Sequence, residues 1–417
     1  MRQSSVDLSE TTVPAIRTTI RSAGIAGSGG AGFPSYAKWE HVDAVDGLLV
    51  NHQESEPNFF IDKWLGTAHA NELGTLLERL HEELFSVIVI GAKVTDREPH
   101  LTALEDHLEP TVYLPDALPI DDDETGIVIA YTEDRYEYGM ESVLLRLVAD
   151  TVIGNDLPMD HGWIVHNTET LFNIYRALTA GTPVTEKYLH IDGDVPTHRF
   201  VRAPIGTPGT ELLSAAGVDP DELDPQAVLA DGGPGWCFAT DSPPDRYGIR
   251  KRTNCVLVLD ETTIQEHTLG DDRVNVLETY DRDTKTFETE PTAAIEPEAV
   301  RIPLCSNPAF EGVVAPSEPI VEPGTVVERG EMIARPSESG ISNPQHASID
   351  GTVRAVTDDW IEIESKDRPS VVAAQPMPVF GTGFGYWSWC RNCGTYIVPP
   401  LYDPTLDLTN IYCRDCW

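Results

Sequence analysis

A glycine-rich stretch near the N-terminus limits what this chain can fold into. Residues 27–39 read GSGGAGFPSYAKW, so four glycines in six residues precede an aromatic ring, a proline and a lysine. Such a backbone can approach another group closely, and a flat, phosphorylated cofactor fits beside it. The G-x-G-x-x-G dinucleotide fingerprint is also satisfied, but it requires a strand before the glycines and a helix directly after them. Here a helical pattern over residues 13–23 comes first, so we interpret the stretch as a loop, with a flexible surface loop as the alternative.

Apolar strands and amphipathic helices alternate over the next 130 residues. Residues 47–51 predict a short strand that carries Asn51, Glu54 and Glu56 to its carboxyl end, and the apolar run at 86–91 predicts a buried parallel strand. Between them, five leucines recur at the spacing of one helix face: Leu73, Leu76, Leu77, Leu80 and Leu84. This alternation predicts an α/β fold with a mainly parallel sheet.

Four motifs, in this order along the chain, resemble one protein family. They are the glycine stretch, NHQESEP at 51–57, YEYGME at 136–141, and the segment from Leu157-Pro158 to GWIVHNTETL at 162–171. They resemble the FMN- and NADH-binding subunit of respiratory complex I, the C subunit of Rnf-type ferredoxin:NAD oxidoreductases and the related cobalamin reductases. The resemblance implies a Rossmann-like flavin domain that holds FMN without a covalent bond, with NADH stacked over the flavin.

The resemblance also implies roles for individual residues. The backbone of the glycines lines the cofactors, Lys38 contacts a phosphate or a flavin oxygen, and Asn51 bonds the edge of the flavin ring. Asn167 and Thr170 begin a helix and suit the FMN phosphate. Glu54 and Glu56 are the catalytic candidates, suited to the nicotinamide carboxamide and the ribose hydroxyls. The glycines concerned are Gly27, Gly29, Gly30 and Gly32.

Two positions depart from the family pattern. Gln53 stands where the complex I subunit has an acid, and His166 replaces the first asparagine of its N-N-V-E-T motif. Gln53 leaves a neutral amide in the site, so the nucleotide preference and the flavin potential stay open. NADPH remains an alternative to NADH.

The resemblance extends to a series of domains. We expect an FMN/NADH-binding domain at 1–184, a β-grasp domain of the soluble-ligand-binding type (SLBB) at 185–260, a polar linker at 261–298 and a barrel-sandwich hybrid domain at 299–370. The hairpin tip at Ser348-Ile349-Asp350 has no lysine, so no covalent prosthetic arm is expected. No cysteine lies between Cys255 and Cys305, which excludes the relatives' two-cluster ferredoxin insert there.

Four cysteines near the C-terminus predict a metal site within residues 384–417. Cys390 and Cys393 form one C-x2-C knuckle, and Cys413 and Cys416 form another. Four thiolates at this spacing suit a tetrahedral zinc ribbon. Iron is an alternative because the sequence CGTY after the first knuckle resembles rubredoxin, and a pair of disulfides is a second. The remaining cysteines, Cys237, Cys255 and Cys305, are expected to be buried thiols.

The charge balance excludes some partners. The chain of 417 residues has 68 acidic against 29 basic residues, a net charge of −39, which argues against nucleic-acid binding. Only seven of the basic residues are lysines, as in proteins adapted to molar salt inside halophilic cells; an ordinary acidic protein is the alternative. No run of about eighteen apolar residues and no signal peptide are evident, so we expect a cytoplasmic protein that meets a membrane only through a partner.

The sequence therefore supports two hypotheses. The leading one is an FMN-dependent NADH:acceptor oxidoreductase subunit that takes hydride from NADH and hands electrons to a separate redox protein or complex. The alternative is a non-catalytic assembly or binding module derived from such a flavoprotein, with the metal ribbon docking a partner.

Overall fold

The computed structural model describes residue 8 and residues 12–40, 42–282, 285–307 and 313–366, together with the backbone of 388–389 and 396–397. The described residues up to 366 belong to one compact unit. In the second unit, strands β21 (Ser388–Trp389) and β22 (Tyr396–Ile397) form an antiparallel pair. Within the first unit, three modules follow one another along the chain: a parallel sheet with its helices, a mixed sheet, and a pair of small antiparallel sheets.

The first sheet is the parallel sheet that the sequence predicts. Its strands lie in the order β3-β4-β2-β1-β5, and every neighbouring pair is parallel. The central strands are almost completely buried because helices cover both faces, which explains their continuous apolar sequences. The strands are β1 (Gly47–His52), β2 (Val87–Lys93), β3 (Thr111–Tyr113), β4 (Gly126–Thr132) and β5 (Trp163–Asn167).

Seven helices accompany this sheet. They are α1 (Val13–Ser22), α2 (Ser35–Trp39), α3 (Ile61–Ala68), α4 (Ala70–Glu83), α5 (Thr102–Leu108), α6 (Glu141–Ala149) and α7 (Thr168–Ala180). Helix α4 buries Leu73, Leu76, Leu77 and Leu80 in the core, as the leucine spacing predicts. None of the helices in the described part of the chain combines the length and apolar character needed to cross a bilayer.

The second sheet is mixed and has eight strands. Their order is β11-β12-β9-β8-β10-β6-β7-β13. Strand β10 runs parallel to β6 and β13 runs parallel to β7, whereas the β6–β7, β8–β10 and β8–β9 pairs are antiparallel. Helix α8 (Gly209–Ala215) packs Leu212 and Leu213 against one face. The first five strands are β6 (Glu186–Gly193), β7 (Arg199–Pro204), β8 (Ala227–Gly233), β9 (Trp236–Ala239) and β10 (Cys255–Asp260).

The segment at 261–298, expected to be a linker, contributes to both edges of this sheet. It contains α9 (Glu261–His267) and the strands β11 (Thr268–Gly270), β12 (Arg273–Val274) and β13 (Ala293–Ala294). Strand β12 pairs with β9 and β13 pairs with β7. Strands of two or three residues are too short to show a periodic pattern, so the sequence does not reveal them. Their pairing provides hydrogen-bond partners for backbone N–H and C=O groups that would otherwise be unpaired at the edges of the sheet.

The third module consists of two small antiparallel sheets around an apolar core. One has the order β14-β20-β19-β16 and the other β15-β17-β18. Val300, Ile302, Ile333, Ile361 and Ile363 are fully buried in this core. The strands are β14 (Ala299–Pro303), β15 (Glu318–Pro319), β16 (Val326–Val327), β17 (Met332–Arg335), β18 (Gln345–His346), β19 (Gly351–Val356) and β20 (Trp360–Ser365).

Candidate functional site

The glycine loop, residues 27–32, is a closed turn with an open outer face. Gly27 N–H donates to Phe33 O at 2.9 Å, and Gly32 N–H donates to Gly27 O at 2.8 Å. Gly30 and Gly32 have φ of +95° and +62°, in the region that favours glycine. A Cβ on Gly30 would meet no atom within 4 Å. Gly29 and Ala31 are exposed and Gly30 is half-buried, so the loop presents mainly backbone to an approaching group.

The loop lies against the start of α7, at the carboxyl end of β5. Ser28 N–H donates to Thr170 Oγ1 at 3.0 Å, and Thr170 is fully buried. A Cβ on Gly29 would lie 3.2 Å from the Asn167 side chain. Asn167 caps α7 by accepting the Thr170 N–H at 3.1 Å, and in the sheet it lies beside Asn51 of β1. The glycine loop, Asn51 and Asn167 therefore converge at one edge of the parallel sheet.

Lys38 and the YEYGME segment border the same place. Lys38 Nζ donates to Val165 O of β5 at 3.0 Å and pairs with Glu141 at 3.3 Å. Asn51 Nδ2 donates to Gly139 O at 2.8 Å. Lys38 thus supplies a half-buried cation beside β5, and Asn51 is already oriented by the segment that contains Gly139 and Glu141.

A buried carboxyl group occupies the N-terminus of α7. Asp62 Oδ1 accepts the Glu169 N–H at 2.9 Å, and Asn167 Nδ2 reaches Asp62 Oδ2 at 3.4 Å. Burial, together with the nearby Glu54 carboxylate, raises the pKa of Asp62 well above its ordinary value. The N–H groups of Glu169 and Thr170 are therefore engaged by the chain's own side chains, and an anion here would meet Asn167 Nδ2 and a carboxyl group that favours its neutral form.

Glu54 serves as the cap of α3. Its two carboxylate oxygens accept the N–H groups of Asp62 at 2.9 Å and Lys63 at 3.0 Å, and its own backbone has φ of +39°. Burial raises the pKa of Glu54, although the Lys63 charge opposes the shift. This carboxylate is fixed at the mouth of the site by the first turn of a helix.

Glu56 joins the first sheet to the second. Its carboxylate accepts the Tyr136 hydroxyl at 2.7 Å and the Gly235 N–H at 2.8 Å. Burial raises the pKa of Glu56, and the Tyr136 hydrogen bond offsets part of that shift. The tight turn that follows β8 lies directly on this carboxylate, since a Cβ on Gly233 would come within 2.5 Å of it.

A cavity of ≈ 300 Å³ adjoins both glutamates. Two ion pairs lie in its wall, Lys63 with Asp96 at 3.5 Å and Lys93 with Asp134 at 2.7 Å. Asp96 Oδ2 is buried without a hydrogen-bond partner among the described residues. The charged residues of the lining are Glu54, Glu56, Lys63, Lys93, Asp96, Asp134 and Arg282.

The two residues that depart from the family pattern, Gln53 and His166, are buried in the core. Gln53 is fully buried and its amide donates to Thr132 Oγ1 at 3.1 Å. His166 Nε2 accepts the Trp39 indole N–H at 2.9 Å, and burial holds the pKa of His166 well below its ordinary value. A neutral imidazole is the form that can accept this bond, so His166 fixes the orientation of the buried Trp39 indole.

The residues present fit an FMN group. The open face above Gly30 leaves room for a planar ring, the close approach of Gly29 to Asn167 leaves little space for a side chain, and Lys38 provides a cation nearby. These are features of a backbone cradle for a planar ring with a cation beside it.

The sequence motifs do not predict several of the residues that the structure brings to this site. Asp62 and Lys63 lie in α3 after β1, and Lys93 is the last residue of β2, whereas Tyr136 lies within the YEYGME motif. Position after a predicted strand could have suggested Lys93, because the carboxyl ends of neighbouring parallel strands share an edge. Nothing local marks Asp62, which acts on a helix 107 residues later.

The predicted metal ligands Cys390, Cys393, Cys413 and Cys416 lie outside the described residues. Cys237 and Cys255 are buried, as expected, whereas Cys305 is partly exposed. Across 12–366, apart from the gaps given above, no three His, Cys, Asp or Glu side chains are grouped as they would be around a metal ion.

Comparison with known proteins confirms the resemblance that the motifs indicate. Residues 20–176 match the family described as the Nuo51 FMN-binding domain, and residues 284–375 match the family described as the RnfC barrel sandwich hybrid domain. The first match covers the parallel sheet and the glycine loop, and the second covers the third module. The flavin-type α/β fold and the barrel-sandwich fold are thereby established.

Curated relatives include two kinds of protein. The C subunit of the ion-translocating oxidoreductase complex of Vibrio cholerae is 29% identical over 61% of this chain and 31% of its own length. The cobalamin reductase PduS of Citrobacter freundii is 31% identical over 58% of this chain and 49% of its own length. The chain therefore spans a third to a half of the relatives it matches. Among solved structures, an NAD+-reducing [NiFe]-hydrogenase in the H2-reduced state shows 19% identity and a TM-score of 0.48 over 62% of this chain and 48% of its own.

Proposed function

We propose that this chain is the FMN-dependent subunit of an NADH:acceptor oxidoreductase. The observation that carries the proposal is the convergence of an open glycine loop with Lys38, Asn51 and Asn167 at the carboxyl edge of β1 and β5. Ligands of open α/β sheets bind outside this edge. The similarity to an FMN-binding domain and to relatives named as part of an oxidoreductase complex and as a reductase supports a redox role.

Each residue has a part in holding the flavin. The backbone of Gly27, Gly29 and Gly30 lines the ring, Lys38 faces a phosphate or ring oxygen, and Asn51 bonds the ring edge. Asn167 Nδ2 is the donor at the start of α7 that suits the FMN phosphate. Thr170 accepts the Ser28 N–H from beneath the glycine loop, so it contributes to the phosphate site by positioning the loop.

The cavity beside Glu54 and Glu56 suits the dinucleotide. A hydride transfer from nicotinamide to flavin needs two rings held in contact and no general base. FMN, when bound, supplies the hydride acceptor and the route by which electrons pass to a partner. Glu56 can accept hydrogen bonds from a carboxamide or from ribose hydroxyls, whereas Lys63 and Lys93 suit the diphosphate.

We further propose that residues 185–260 are a β-grasp domain and that the four C-terminal cysteines bind zinc, with iron as the alternative. The strand order β9-β8-β10-β6-β7, in which the central strands β10 and β6 are parallel, supports the β-grasp topology. The domain boundaries given above and a separate redox protein as electron acceptor are parts of the same proposal.

The deciding experiment is an absorption spectrum of FMN-reconstituted protein before and after anaerobic addition of NADH or NADPH. Flavin bands that bleach with NADH are the expected result, and Glu56→Gln should keep FMN uptake while slowing the bleaching. A protein that binds FMN but is reduced by neither nucleotide would contradict the dehydrogenase.

One observation favours the alternative of a non-catalytic binding module. The buried Asp62 carboxyl already satisfies the α7 N–H of Glu169, where an FMN phosphate is expected. If the chain is such a module, apo-protein titrated with FMN shows no quenching of flavin fluorescence, and Asp62→Asn does not change that result.

A further inference from the structure

The carbonyl groups of the glycine loop and the residues before it are held from inside by other modules. Ser306 Oγ donates to Gly32 O and Asn307 Nδ2 donates to Ala31 O, each at 2.6 Å. Asn343 Nδ2 donates to Ile25 O at 3.1 Å. All three donors come from the third module, some 270 to 320 residues later in the chain.

The second module adds a buried lysine to this junction. Lys251 Nζ donates to Gly24 O at 2.8 Å and to Pro344 O at 2.9 Å, so one amino group links all three modules. Burial lowers the pKa of Lys251 to about 7. The segment that leads into the glycine loop is therefore held by the second module as well as by the third.

Contact between the loop and the third module extends to the backbone. A Cβ on Gly32 would lie 2.8 Å from Ser306 O and 2.9 Å from Asn307 Cβ. Ser306 and Asn307 are each only 4% exposed, so both donors are shielded from water and depend on the loop carbonyls as acceptors. The outer face of the loop, by contrast, is open above Gly30. The loop is thus clamped on one face and free on the other.

We propose that the third module is a clamp for the glycine loop, and that Ser306 and Asn307 are positioning residues for FMN. The proposal rests on the assignment of FMN to this loop. A ring that binds a backbone cradle gains from a cradle that is already in the bound conformation. Loss of the donors removes the partners of the Gly32 and Ala31 carbonyls and lets the loop move before any flavin arrives.

The test compares Ser306→Ala and Asn307→Ala, singly and combined, with Ser348→Ala in the full chain. Ser348 is a matched control: it is buried in the same module and donates to a backbone carbonyl at 2.6 Å, but that carbonyl belongs to Ile205. The first readout is the FMN dissociation constant, measured by quenching of flavin fluorescence. The second is hydrogen exchange at the amides of Gly27, Ser28 and Gly32 in the flavin-free protein.

Each loop-facing substitution should weaken FMN binding by about tenfold and speed exchange at the loop amides, because one buried hydrogen bond is lost from the cradle. Ser348→Ala should leave both within about twofold of the wild type. The clamp is refuted if Ser306→Ala and Asn307→Ala match the wild type, or if Ser348→Ala has an equal effect. Should the wild type take up no FMN, the proposed function fails, and loop exchange alone then decides for or against the clamp.

Discussion

Glu56 accepts the backbone N–H of Gly235 at 2.8 Å, across 179 residues of sequence. The same carboxylate accepts the Tyr136 hydroxyl at 2.7 Å. The Glu56 carboxylate, which follows β1, therefore bonds both to the YEYGME segment beside the first sheet and to the turn between β8 and β9 of the second sheet. Its orientation depends on both.

Replacing Tyr136 with phenylalanine tests that dependence. The hydroxyl offsets part of the burial that raises the pKa of Glu56, so Y136F should raise this pKa further. Since a raised carboxyl pKa favours the protonated state, the stability of the variant should fall relative to the wild type as pH rises above 4.5. Urea unfolding between pH 4 and 8 measures the difference, and Tyr138→Phe is the control. Parallel pH curves for Y136F and the wild type would contradict the assignment.

Alanine substitutions at different glycines of the loop should have different effects on the free energy of unfolding. Gly32 has φ of +62° and no room for a Cβ, so G32A should lose about 2 kcal/mol or more of unfolding free energy. The nearest atom to a Cβ on Gly27 would be 3.5 Å away, so G27A should be nearly neutral for stability. Thermal unfolding of both variants, with FMN titration of G27A, separates a packing requirement from a cofactor contact. A stable G32A protein would show that the loop packs differently.

Acid should unfold the protein through its buried histidines. Burial lowers the pKa of His52 and of His346 to about 3. Because the unfolded state then binds more protons, stability falls as pH drops below 6.5, by about 2 kcal/mol for each of these groups at pH 5.

The variant His52→Asn should remove its share of this loss, as seen in urea unfolding at pH 7 and pH 5. His161→Asn is the control because His161 is exposed. An unchanged acid sensitivity in H52N would show that other groups control it.

The buried ion pair of Lys187 and Glu169 should tolerate joint but not single replacement. Both side chains are at most 2% exposed, and Lys187 also donates to Ser28 O of the glycine loop. K187M leaves a buried carboxylate without its partner and should cost about 3–5 kcal/mol. Adding Glu169→Leu should recover most of that cost in chemical denaturation. If the double variant is no more stable than K187M, the pair is not the source of the loss.

The C-terminal cysteines predict one bound metal ion per chain. Elemental analysis should find zinc or iron in the purified protein, and Cys390→Ser together with Cys413→Ser should abolish it. Cys305→Ser is the control, since that cysteine lies outside the knuckles. Metal retained in the double variant would exclude the four-thiolate site.

Local patterns were enough to predict the parallel sheet and the edge at which Asn51 and Asn167 lie. The apolar run of β2, the leucine face of α4 and the motif that ends β1 each have a period or composition that the sequence displays directly. Asn51 and Asn167 are neighbours because both lie at the carboxyl ends of adjacent parallel strands.

What the sequence conceals depends on distant contacts. The strands at both edges of the second sheet are too short to show a pattern, and Ser306 looks like any loop serine until its partner Gly32 is known. The capping of α7 by Asp62 likewise joins two segments that share no motif.

The clamp on the glycine loop also has a consequence for biosynthesis. Gly32 and Ser306 are 274 residues apart, which at ribosomal rates of about 5–20 residues per second means a delay of roughly 14 to 55 s. During that interval the nascent first domain carries its glycine loop without the inner support. Flavin capture is therefore expected to be a late event, completed only after the third module has left the ribosome and docked.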